Sequence, residues 1–191
     1  MTMETILKRE LIIDRKFCQL FAVGVFITLT ALSAFVRIPL PFTPVPLTLQ
    51  TFFVLLSGAL LGRSLGALAQ ISYMFLGLTG QQVFCGVGSG SLYLLGPTGG
   101  YLVGFVGAAF LAGSLLGSKK QSGLAVFVKL LAADFIILFC GTLWLKLSLS
   151  CQLGQAFLLG FLPFVPGNIL KVILAAIVYN KIGARVRNAL Y

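Results

Sequence analysis

The chain has no histidine and only four acidic residues among 191. Without imidazole there is no Ser–His pair, no His-ligated metal and no histidine proton relay, which removes most hydrolytic and metal-dependent chemistry. Glu4, Glu10 and Asp14 lie near the start, so Asp134 is the only acid in the rest of the chain. An intramembrane enzyme built on Ser89 and Asp134 would have no second group for acid–base work. The chain therefore reads as a non-enzyme without cofactor or metal. Cys18, Cys85, Cys140 and Cys151 form no CxxC pair and read as isolated thiols. There is no GxxxxGK[ST] phosphate loop, and Gly86 to Ser91 fails the GxGxxG pattern at its last position, so nucleotide binding is not indicated.

What the chain has in abundance is apolar sequence. It is 59% hydrophobic and 9% charged, with a mean hydropathy of +1.05. Long apolar runs between short polar breaks are what a lipid bilayer selects. The net charge of +10 would suit nucleic acid if it were clustered. Instead the charges sit in the breaks between runs, so no nucleic-acid partner is expected and the lipid bilayer is.

Six runs supply the expected architecture, an all-α integral membrane protein of six transmembrane helices. They are 17–36, 48–61, 65–79, 96–116, 124–143 and 167–181. The first, about 30 Å long as helix, exceeds the apolar core of a cleaved signal peptide, the competing reading for this stretch. Residues 1–16 form an expected cytoplasmic N-terminal segment, 17–183 the membrane domain and 184–191 a cytoplasmic tail. The segment 153–162 is too short to span and reads as an interfacial helix. With both termini cytoplasmic, the inner segments hold Lys8, Arg9, Arg15, Lys16, Arg63, Lys119, Lys120, Lys181, Arg185 and Arg187, whereas the outer loops hold Arg37 and Lys146. That asymmetry follows the positive-inside rule and places the protein in the cell membrane.

Three breaks then share the outer side. Arg37 to Leu47 carries four prolines and cannot be helical, so it reads as a stiff lid or connector. Gly80 to Leu95 is glycine-rich and uncharged, and reads as a flexible or lid-like loop. Phe161 to Lys171, FLPFVPGNILK, starts a helix near Gly167 with Asn168 and Lys171 on one face of its first turn. Snorkelling to the headgroups would explain Lys171 alone. Two lids converging on it favour a binding site instead.

Four stretches resemble the BioY family, the biotin-binding S-components of energy-coupling-factor (ECF) transporters. They are Val45 to Thr51 (VPLTLQT), Gly58 to Gly62 (GALLG), Gly96 to Leu102 (GPTGGYL), and Pro163 to Asn168 (PFVPGN) with Lys171. The resemblance covers about residues 20 to 180. It implies a subunit that captures biotin outside the cell and delivers it inward when coupled to a T-component and ATPase subunits; an S-component for another vitamin or a biotin relative is the alternative. It further implies that Lys171 meets a polar end of the ligand and Asn168 its hydrogen-bonding groups, with Tyr101, Gln50, Phe84 and Tyr73 as further ligand contacts. The family motif usually has aspartate where this chain has Asn168, and Asp134, paired with Lys171 or with Lys129, is a candidate for the missing charge. A first-helix surface of small residues, Thr30, Ala31 and Ala34, is the expected docking face for the T-component.

Overall fold

The computed structural model describes residues 3–117 and 121–191. Lys119 and Lys120, two of the expected inner charges, lie outside the described residues. The fold is helical: α1 (Met3–Ser33), α2 (Gln50–Leu78), α3 (Gly90–Leu95), α4 (Gly99–Leu115), α5 (Gly123–Ser148), α6 (Leu153–Gly160) and α7 (Val165–Leu190). Four stretches are long and apolar enough to cross a membrane, Arg15–Ser33, Gln50–Leu78, Gly123–Ser148 and Leu153–Leu190, and Gly99–Leu115 is a shorter apolar helix. Their outward faces are greasy: Phe21, Phe75, Phe135, Phe139, Leu170 and Ile177 are all exposed. In water such faces would aggregate, and in lipid they are solvated.

Helix α2 contains one non-helical residue, Gly62, at φ 82 and ψ 175, a backbone region that is essentially reserved for glycine. The chain folds back there. Gln70 on the second limb donates to Ser57 Oγ on the first at 3.0 Å, and Gln50 reaches the Tyr73 hydroxyl at 2.6 Å. Limbs 50–61 and 63–78 are thus antiparallel, with the reversal at the expected Gly62–Gly66 turn.

Helix α4 packs between α2 and α5. Its glycines permit that approach, since a Cβ on Gly104 would lie 2.9 Å from the Ile137 Cα of α5. At the end opposite the prolines, buried Arg187 donates to the Ala59 carbonyl at 2.9 Å and the Gly113 carbonyl at 3.4 Å. The expected tail after residue 183 is therefore helical and docked on α2 and α4.

At the proline end, residues 37–48 form a small hairpin. Strands β1 (Arg37–Ile38) and β2 (Leu47–Thr48) pair antiparallel in the register Arg37↔Thr48 and Ile38↔Leu47. The glycine-rich segment is ordered too, through a Phe84↔Gly88 bridge and helix α3. Helix α7 begins at Val165, two residues before the expected start, because Pro166 sits in its first turn, where the missing N–H costs nothing. A 3₁₀ turn, Leu162–Phe164, joins it to α6.

Candidate functional site

A narrow slot lies under the proline hairpin, between the N-terminal turns of α2, α4 and α7 and the middle of α5. Its cavity volume is about 50 Å³. So small a volume means that the walls stand close together. Leu102 and Phe105 of α4, Ile137 and Leu138 of α5 and Phe164 make the apolar walls. Val45 and Pro46 of the hairpin, with Cys85, Tyr93 and Thr98, close the top.

The polar groups are few and concentrated. Lys171, 7% exposed, donates to the Thr48 carbonyl at 3.0 Å and to Thr51 Oγ1 at 2.6 Å. Two of the ammonium's three donors are thus satisfied by α2 and the hairpin, which leaves one for the slot. One turn earlier, Asn168 Nδ2 donates to both carboxylate oxygens of Asp134, at 3.1 and 2.9 Å. Its Oδ1 takes no hydrogen bond from any described residue, and Asn168 lines the slot. Two neighbouring groups of opposite bonding sense therefore face the same space, an ammonium donor and an amide acceptor.

Of the six expected ligand contacts, Lys171, Asn168, Gln50 and Tyr101 line the slot. Tyr73 and Phe84 do not; both are fully buried one layer behind it. Tyr73 accepts from Gln50 and donates to the Val83 carbonyl at 3.0 Å, while Phe84 stacks on Tyr93 with centroids 5.0 Å apart. They hold lining residues in place instead of forming the wall. The Tyr101 hydroxyl is already committed to the Gly160 carbonyl at 2.6 Å, so its ring is what it offers.

Asp134 is 2% exposed and does not pair directly with Lys171; Asn168 takes both of its oxygens. Lys129, the other candidate partner, instead donates to Gln121 Oε1 at 2.7 Å. Thr48 and Thr51 escaped sequence reasoning, although their spacing at the start of α2 puts both beside one helix end. The thiols of Cys18, Cys85, Cys140 and Cys151 are all free.

Above the slot and sharing Pro46, Cys85, Tyr93 and Thr98 with it lies a wider, open mouth of about 450 Å³ lined by Arg37. A molecule reaching from Lys171 toward the surface meets this guanidinium next.

The first-helix residues lie on the inward side of α1. Thr30 and Ala34 are fully buried and Ala31 partly so, and the Thr30 hydroxyl donates to the Phe26 carbonyl at 2.8 Å within its own helix. These residues pack α1 onto its own bundle. The outward face instead carries a shallow groove at Gly24 and Thr28, flanked by Phe21, Val25 and Leu29.

The chain is 40% identical over 160 residues to the biotin transporter BioY of Thermotoga maritima, covering 84% of this chain and 92% of that one. It is 32% identical over 157 residues to the biotin transporter BioY of Rhizobium etli, covering 78% and 83%. A crystal structure of the S-component for biotin from an ECF-type ABC transporter superposes with a TM-score of 0.80 at 26% identity, over 95% of this chain and 94% of that one. The sequence pattern of the BioY family matches residues 8–188, and the chain belongs to that family.

Proposed function

We propose that the chain is the biotin-binding S-component of an ECF-type transporter, a multi-pass membrane protein that takes biotin into its slot for uptake. The observation that carries this reading is the pairing, one helical turn apart, of a free Lys171 donor with a free Asn168 acceptor above apolar walls. A ureido group offers the complement, a carbonyl beside N–H donors. Because the two side chains are neighbours on one helix face, they meet the same end of the ligand. The valerate carboxylate lies beyond the bicyclic ring and the methylene chain, farther than one turn of helix, and so reaches the mouth and Arg37. The apolar ring and chain fill the space between Phe105, Ile137, Leu138 and Phe164.

Six crossings with both termini cytoplasmic complete the reading. They are α1, the two limbs of α2, α4, α5 and α7, and Arg63, Lys181, Arg185 and Arg187 then lie inside. Energy comes from a T-component and ATPase subunits on other chains, and α1 meets the T-component through its Gly24–Thr28 face. The test is uptake of labelled biotin by cells deficient in their own biotin uptake, expressing this chain with its partner subunits. Competition by desthiobiotin but not by lipoate supports the biotin reading. Preferential loss with lipoate or another vitamin assigns a different ligand.

A further inference from the structure

Asn168 has two ends of opposite bonding sense, and only one can serve a ligand that presents N–H groups. Nothing intrinsic to an amide decides which end faces the slot, since its two rotations are almost the same shape. Asp134 decides it. Both of its oxygens are occupied by Asn168 Nδ2, at 3.1 and 2.9 Å, and a carboxylate can only accept. Turning the amide over would set oxygen against oxygen in a dry interior, where an unpaired polar contact is costly. Asp134 is buried, is no part of the slot lining, and makes no other side-chain hydrogen bond among the described residues.

We infer that Asp134 is a positioning residue for ligand recognition: it locks the Asn168 amide so that Oδ1, an acceptor, always faces the slot, and thereby selects ligands that bring N–H donors to that point. The inference rests on the biotin reading of the slot. It also explains how the chain functions with an amide at 168. The carboxylate lies behind the amide and dictates which end of it faces the slot, while placing a negative charge near the buried ammonium of Lys171.

The test measures the affinity of the purified full chain for biotin and for a biotin analogue methylated on a ureido nitrogen. Wild type should prefer biotin at least tenfold, about the worth of one hydrogen bond in a dry site. Asp134→Leu frees the amide to turn, so biotin affinity should fall about tenfold or more while the methylated analogue changes little, and the preference collapses. A merely structural role would weaken both ligands alike. Asp134→Asn keeps an acceptor toward Asn168 and should retain most of the preference. The exchange Asp134→Asn with Asn168→Asp presents a carboxylate to the slot, which has no wrong end, and should restore the preference even if Asp134→Leu fails to fold. An unchanged biotin-to-analogue ratio in Asp134→Leu, or loss of preference in the exchange variant, overturns the inference. Absence of biotin binding by the wild type overturns the underlying reading, and this inference with it.

Discussion

Replacing Lys171 by methionine removes its ammonium and keeps most of the volume of its stem. The thioether fills nearly the volume of the lysine stem, so the walls around it keep their packing. What disappears is the ammonium, which spends two donors on Thr48 and Thr51 and holds one for the ligand. A hydrogen bond from a charged donor contributes about 1.5–3 kcal/mol, so the dissociation constant for biotin should rise about 10- to 150-fold. The same substitution removes a buried charge, and the Thr48 carbonyl and Thr51 hydroxyl lose their donor, so the hairpin is also released. Titration calorimetry of biotin into the detergent-purified variant measures the loss, and size-exclusion elution beside wild type checks the fold. A dissociation constant within twofold of wild type in a well-folded variant would refute the assignment of Lys171 to the ligand.

Arg37→Gln should weaken binding of biotin but leave biotin amide, which lacks the carboxylate, nearly unchanged; equal losses for both would remove Arg37 from the ligand. Cys85 is buried and burial pushes its thiol above the usual range, with nearby Arg37 opposing that shift. A raised pKa means less thiolate at neutral pH, so N-ethylmaleimide should modify Cys85 more slowly than exposed Cys18, faster as pH rises, and more slowly still with biotin present. Gly62→Ala forces a side chain into a region that costs about 1–3 kcal/mol, and its thermal midpoint should fall by several degrees. Gly24→Phe with Thr28→Phe fills the outward groove of α1 and should abolish uptake with the T-component while biotin binding to the isolated subunit persists; loss of both together would place that face in folding.

The elements that sequence reveals best are those that violate the apolar background. Lys171 and Asn168 stand out because charge and amide are costly in a membrane helix, and both line the slot. Gly62 stands out for the same reason, as a break beside an arginine. Tyr73 and Phe84 stand one layer behind the slot, and nothing in an aromatic residue's sequence position separates a wall from its backing. Thr30 and Ala34 have the right spacing for close helix contact, but spacing leaves open which way the stripe faces, and here it faces the protein's own bundle. Depth along the helices brings Asp134 near Lys171, but the partner of its carboxylate is the Asn168 amide. Helices α5 and α7 run past Leu143 and Lys181 to Ser148 and Leu190 because falling hydropathy marks an edge of the apolar layer, and backbone hydrogen bonding continues beyond it. The Thr48 carbonyl, a principal partner of Lys171, is a backbone group and leaves no trace in residue type.

The most direct test of the account is equilibrium binding of tritiated biotin to the purified chain without any partner subunit. Saturable binding at one site per chain, displaced by unlabelled biotin and desthiobiotin, is the expected result. Absence of saturable binding by folded, monodisperse protein would contradict it.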